Sequence, residues 1–174
     1  MDDRSFTRIY KIVVVGSGAV GKTSLILRFT TGAFRESYIR TLGAGFAFKN
    51  LDVDNRLIKL QIWDLAGQPQ MKKVRSNFYT GASGVIFIYD VTRHKTFDEI
   101  LGWKTEADTH AQGSVSLLVA NKTDMVQDRA VTEAEGREMA GEFGWNYVET
   151  SVKLNENVVD VFKIITREIM RAID

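Results

Sequence analysis

At 174 residues, 44% of them hydrophobic, the chain suits one packed domain spanning 1–174. Its 23 Lys and Arg against 22 Asp and Glu leave a net charge of +1, which provides no basic field for nucleic acid or anionic lipid. The absence of cysteine excludes disulfides and thiolate metal sites and fits a reducing compartment, and no apolar run approaches the length that spans a bilayer.

The first element in chain order is an apolar strand at 10–15. It leads directly into Gly16-Ser17-Gly18-Ala19-Val20-Gly21-Lys22-Thr23-Ser24, the pattern G-x-x-x-x-G-K-[ST] in its required setting, after a strand and opening a helix at 22–31. The glycines let the backbone curl so that successive N–H groups point at one spot, and the helix adds the positive end of its dipole. Lys22 brings a mobile charge for outer phosphates, and the Thr23 hydroxyl suits Mg²⁺. These features describe a nucleoside triphosphate site.

Residues 34–46 show little apolar periodicity and read as a mobile loop holding Tyr38, Thr41, Gly43 and Gly45. Thr41 offers a hydroxyl for Mg²⁺ and an N–H for a terminal phosphate, although the pattern alone does not single it out. Segments 46–53 and 57–63 flank Asp54-Asn55 as a hairpin. The second of them runs into Asp64-Leu65-Ala66-Gly67-Gln68. An aspartate at the end of a buried strand beside a phosphate loop suits Mg²⁺ through water. Gly67 lets the backbone approach a terminal phosphate, and Gln68 orients a water without being a strong base. Asp-x-x-Gly is also a common turn with no chemistry attached.

Residues 84–90 form a continuous apolar run typical of a buried strand, 96–110 read as a helix, and 116–120 as another buried strand. The last of these ends at Asn121-Lys122-Thr123-Asp124. Guanine presents N1–H and N2–H₂ as parallel donors that one carboxylate, Asp124, accepts together, whereas the adenine N1 acceptor repels it. The place of this motif, after a later strand of a phosphate-loop domain, marks a guanine site. A helix at 132–143 opens with Thr132 and Glu135 spaced as a capping box, and 145–149 is the last strand. Thr150-Ser151-Val152-Lys153 follows it. Backbone N–H groups there can meet guanine O6 and the Lys153 stem can cover the base, but by itself the stretch reads more readily as a plain loop. A helix at 155–171 carries Val158, Val159, Phe162, Ile165 and Ile169 at helical spacing. The alternation of strands and helices predicts a mainly parallel sheet with helices on both faces and ligands at the carboxyl ends of the strands.

Together these motifs resemble the Ras superfamily of small GTPases, and within it the Rab branch most closely, in order and spacing over essentially the whole chain. Gly43-Ala-Gly-Phe46, Leu60-Gln-Ile-Trp-Asp64, Phe78-Tyr-Thr-Gly-Ala82 and Tyr89-Asp-Val-Thr92 look like the Rab versions of their segments. The resemblance implies a P-loop NTPase-type three-layer α/β sandwich with a six-stranded, mainly parallel sheet and five helices. It implies GTP and GDP as ligands, Mg²⁺ as cofactor and slow intrinsic hydrolysis. Two switch loops, near 34–44 and 65–78, order on the terminal phosphate and bind effector, exchange-factor and GTPase-activating proteins. Gln68, Lys22 and Gly67 take the catalytic places, Gln68 orienting the water and Lys22 stabilising the phosphates. Thr23 and Thr41 bind Mg²⁺ directly and Asp64 holds it through water. Gly18, Ala19, Val20, Gly21, Lys22, Thr23, Ser24, Thr41 and Gly67 line the phosphates; Phe34, Asn121, Lys122, Asp124, Ser151, Val152 and Lys153 surround the base. Gly18 stands where a side chain obstructs hydrolysis. Phe46, Trp63 and Phe78 match the aromatic triad of Rab effector surfaces and are expected to leave at least one ring exposed.

The resemblance further implies action in vesicle traffic from a cytoplasmic location. Met1-Asp2-Asp3 is no signal peptide and offers no myristoylation site, and Arg171-Ala172-Ile173-Asp174 carries no prenylation box. Membrane association is therefore expected only through a partner or a lipidated tail outside this sequence.

Four departures stand out. Leu65 replaces the usual threonine, and Val152 a usual alanine near guanine O6. Arg40 stands where relatives carry proline or a small residue. It reads more readily as a solvated loop residue than as an arginine acting in cis on the β/γ-phosphates. Pro69, the only proline, replaces the glutamate after Gln68 and biases Gln68 towards extended backbone. If that keeps the amide from the water, the chain is a hydrolysis-impaired GTP/GDP-binding module, and Pro69→Glu speeds it up.

Overall fold

The computed structural model describes residues 8–35, 41 and 43–174; Tyr38 and Arg40 lie outside them. β1 (Arg8–Val15), β2 (Ala44–Val53), β3 (Arg56–Leu65), β4 (Gly84–Asp90), β5 (Val115–Asn121) and β6 (Asn146–Glu149) form one sheet in the order β2-β3-β1-β4-β5-β6. The β2–β3 pair is antiparallel because a two-residue turn joins the strands, with Asp54 and Asn55 both at positive φ (51° and 62°). Every other pair is parallel, joined across helices.

The helices are α1 (Lys22–Thr31), α2 (Lys72–Arg75), α3 (His94–Asp98), α4 (Ile100–His110), α5 (Glu133–Phe143) and α6 (Val158–Ile173). α3 and α4 are one helical excursion interrupted at Glu99, so the described residues contain five helical units. The sheet's period of two divides the core. Ile12, Val14, Ile86 and Ile88 face α1 and α6; Val13, Val15, Val85 and Phe87 face α3, α4 and α5. On the first face Phe29 stacks on Phe162, ring centroids 3.9 Å apart. α6 lies close over Gly84, where an added Cβ would meet Ile165 at 2.8 Å.

Several boundaries differ from the sequence expectation. The helix expected at 96–110 starts at His94 and breaks at Glu99, where ψ is −11° and the side chain accepts a hydrogen bond from the Ser17 hydroxyl. α6 begins at Val158 rather than 155, because Asn155 and Asn157 adopt left-handed backbone (φ 58° and 59°). Val159, expected on the apolar face, is exposed; Val161 takes its place in the core. β6 begins at Asn146 because the Trp145 N–H still caps α5, donating to Ala140 O. Residues 69–78 form a short 3₁₀ turn, α2 and a second 3₁₀ turn in place of a plain loop. The capping box of α5 is present as expected, Thr132 and Glu135 bonding each other's backbone N–H.

Candidate nucleotide site

A cleft of about 660 Å³ opens at the carboxyl ends of β1, β3 and β5, above the start of α1. The loop after β1 curls tightly, with φ of 152° at Gly16, 63° at Ala19 and 108° at Gly21. A Cβ at Gly16 would lie 2.2 Å from Ile88 O, so only glycine fits where the loop crosses β4. Lys22 folds beneath the loop, its Nζ donating to Gly16 O and Ser17 O at 2.8 Å each. Burial pushes its pKa down to about 8, opposed by Asp64 and reinforced by Arg75 and Arg93.

Three oxygens from separate chain segments converge beside it. Thr23 Oγ1 donates to Asp64 Oδ2 at 2.5 Å, Thr41 Oγ1 donates to the same oxygen at 3.2 Å, and the two hydroxyls stand 2.9 Å apart. Asp64 Oδ1 is buried without a hydrogen bond among the described residues. Burial holds this carboxyl above its ordinary range, against the Thr23 bond, Lys22 and the Thr41 bond. An all-oxygen set with an orphaned buried carboxylate oxygen fits a hard divalent cation such as Mg²⁺. The described residues include no cluster of three His, Cys, Asp or Glu.

β3 delivers the second segment. The Ala66 N–H donates to Gly43 O at 2.8 Å, and a Cβ on Gly67 would lie 2.5 Å from Gly16 O and 2.7 Å from Gly18 N. Gly67 therefore packs backbone against backbone on the phosphate loop. Gln68 is extended (φ −72°, ψ 137°), as the following proline predicts, and Pro69 opens a 3₁₀ turn. Gln68 lines the cleft in this extended conformation.

At the other end, Asn121 Nδ2 donates to Val20 O at 3.0 Å, and Asn121 Oδ1 accepts from Thr150 Oγ1 at 3.0 Å. Lys122, at φ 70°, places Nζ 2.8 Å from Asp90 Oδ2 and 3.0 Å from Ala19 O. Asp124 Oδ1 accepts from Ser151 Oγ at 2.8 Å. In the 150–153 stretch, whose backbone N–H groups are expected to meet guanine O6, those of Ser151 and Val152 donate to Glu156 O and Asn121 Oδ1, both at 3.3 Å.

The cleft brings together Ala19, Gly21, Lys22, Thr23, Ser24, Phe34, Thr41, Asp64, Gly67, Gln68, Asn121, Lys122, Asp124, Val152 and Lys153. Gly18, Val20 and Ser151 do not line it: Val20 is core, and Ser151 is buried behind Asp124. Sequence reasoning missed the side chains that hold this arrangement. Arg28 donates to Val152 O at 3.0 Å and Lys153 O at 2.7 Å, with its guanidinium over the Phe34 ring. Buried Asp90 receives Lys122, Arg93 and Thr92, and Arg93 also donates to Gly18 O at 2.9 Å. Burial pushes the Asp90 carboxyl up, but the Lys122 and Thr92 bonds bring it below its ordinary range. A lone aspartate closing an apolar strand run was the available signal.

Beside the cleft the aromatic expectation holds. Phe46 is 48% exposed, and its ring centroid is 4.7 Å from that of half-buried Trp63, which lies 5.2 Å from Phe78. Phe48, equally exposed, packs edge-on against Phe46.

The Ras family model matches residues 11–171. The chain is 40% identical to the GTP-binding protein yptV2 of Volvox carteri, over 95% of this chain and 77% of that protein. It is 40% identical to the Ras-related protein RABD1 of Arabidopsis thaliana, over 94% and 80%. To the Ras-related protein Rab-8B of Homo sapiens it is 36% identical, over 96% and 81%.

Proposed function

The chain belongs to the Ras family and is a Rab-like GTP-binding switch that hydrolyses GTP, and from that premise we propose how its cleft divides the work. Lys22 and the curled loop at 16–21 hold the outer phosphates. Thr23, Thr41 and Asp64 hold Mg²⁺, which when bound offsets the phosphate charge. The Gly67 backbone meets the terminal phosphate, and Gln68 orients the attacking water. Asp124 reads guanine, Asn121 and Lys122 fasten its segment to the phosphate loop, and Phe34 and Lys153 border the base. In the GTP state the two switches and the rings of Phe46, Trp63 and Phe78 form the surface for effectors and regulators; hydrolysis releases it. By its Rab likeness the switch serves vesicle traffic, reaching membranes through a partner or a lipidated tail.

The observation that best supports this division is the convergence of Thr23, Thr41 and Asp64 around one buried orphan oxygen. GDP release measured with and without Mg²⁺ tests it. Chelation should speed release from the unsubstituted protein at least about tenfold, and Asp64→Ala should abolish that response, since a lost charge-assisted contact is a ~1.5–3 kcal/mol effect. Release that ignores Mg²⁺ in the unsubstituted protein overturns the assignment.

A further inference from the structure

Arg75, on α2, is 5% exposed, as buried as Lys22. Its Nη1 donates to two carbonyls, Gln68 O at 2.9 Å and Ala66 O at 3.2 Å, which flank Gly67. Its Nε donates to Glu106 Oε2 at 3.1 Å, and its guanidinium lies over the Trp103 ring, 4.3 Å from the centroid. Glu106 and Trp103 both belong to α4, and Glu106 also accepts from the Tyr79 hydroxyl at 3.2 Å. A chain of contacts therefore runs from α4 through Glu106 and Arg75 to the 66–68 turn, and from Gly67 to the backbone of the phosphate loop. α2 has four residues and cannot stabilise that turn by itself.

We propose that Arg75 is a positioning residue for hydrolysis: paired with Glu106, it holds the 66–68 turn against the phosphate loop, keeping Gly67 and Gln68 in place without a partner protein. The proposal rests on the reading of Gly67 and Gln68 given above. A buried ion pair adds little net stability, because both charges lose their water, but it fixes geometry, because neither charge can leave the other without a large cost. The planar guanidinium matters as much as its charge. It addresses two carbonyls and a carboxylate at once, which a lysine ammonium on the same helix cannot do.

The test compares Arg75→Met, Arg75→Lys, Glu106→Gln and Gln68→Leu with the unsubstituted chain, by single-turnover GTP hydrolysis at saturating Mg²⁺, GDP affinity and amide exchange over 66–71. Arg75→Met and Arg75→Lys should slow hydrolysis at least about tenfold, because small displacements of positioned groups have large kinetic effects. In these Arg75 variants GDP affinity should stay within about threefold, because Arg75 does not line the cleft, and exchange at 66–71 should rise about tenfold or more. Glu106→Gln, nearly isosteric, should show the same changes in smaller measure, and it carries the test if the Arg75 variants do not fold. Arg75→Met that hydrolyses within about twofold of the unsubstituted rate, with unchanged exchange, overturns the proposal. If Gln68→Leu also leaves hydrolysis unchanged, the reading of Gln68 fails. Exchange then decides the tether alone, faster exchange supporting it and unchanged exchange overturning it.

Discussion

At the base end of the cleft, Asn121 and Thr150 stand directly at the ends of β5 and β6, and Asn121, Thr150, Ser151 and Asp124 bond one another or the phosphate loop. At the hydrolytic end, Gly67 and Gln68 stand on a turn that continues into two 3₁₀ turns and a four-residue helix, tied to the frame by Arg75 and by the Ala66 N–H bond to Gly43 O. The base end depends on neighbours within the sheet, the hydrolytic end on one buried ion pair and a few backbone bonds. On the proposed division of roles, recognition rests on the ends of sheet strands, and the switching chemistry on segments with few buried apolar contacts, which open at lower cost.

Substitutions that separate the two ends probe this contrast. The largest effect belongs to Lys22→Met at the phosphate end. Losing two charge-assisted bonds of ~1.5–3 kcal/mol each should weaken GDP and GTP about 10²–10⁴-fold, read by titration calorimetry. At the base end, Asp124→Asn replaces an acceptor-only carboxylate by an amide and should cost ~2–3 kcal/mol, about 30–150-fold in GDP affinity, with a relative gain for XDP. Hydrolysis of the GTP that still binds should change less than about threefold, because Asp124 bonds Ser151 at the far end of the cleft from Gly67 and Gln68. Competition among GDP, ADP and XDP checks this, and equal affinity of the unsubstituted protein for GDP and ADP refutes the guanine reading.

The next effect is pH-dependent and belongs to the phosphate end alone. Without nucleotide, burial lowers the Lys22 pKa from 10.5 to about 8, while phosphates favour its charged form. Binding therefore takes up a proton near pH 8, and affinity should fall as pH climbs above it, approaching tenfold per unit. Asp124→Asn should show the same slope and Lys22→Met none. The sign reverses for stability. Between about pH 8 and 10.5 the unfolded chain binds more protons at this lysine than the folded chain does. The nucleotide-free protein should therefore gain stability across that window, measurable by denaturant titration.

The smallest effect is expected at Pro69. Because Gln68 already lines the cleft in the extended conformation that the proline favours, Pro69→Glu should alter single-turnover hydrolysis less than about threefold. A large acceleration would mean that the proline does restrain Gln68, and that the hydrolytic end is stiffer than its short helices suggest.

The features legible in the sequence are those whose cause lies within a few residues. The curl of the phosphate loop follows from glycine spacing and the hairpin from Asp54-Asn55. The capping box follows from Thr132 and Glu135, and the extended Gln68 from the proline after it. Steric limits on φ and ψ act locally, so residue identity and spacing suffice. The start of α6 was misplaced because two asparagines chose left-handed backbone, which periodicity does not register. The holding contacts were invisible for a different reason. Arg75 meets Glu106 31 residues away, Arg93 meets Gly18 75 away, and Arg28 meets Val152 124 away. Such pairs exist only because the order β2-β3-β1-β4-β5-β6 places β1 between β3 and β4 and brings the loops after these strands to one edge. The motifs determined on their own which chemistry the chain carries. The packing of distant segments decided how firmly each part of it is held, because buried charges find partners across the fold and not along the chain.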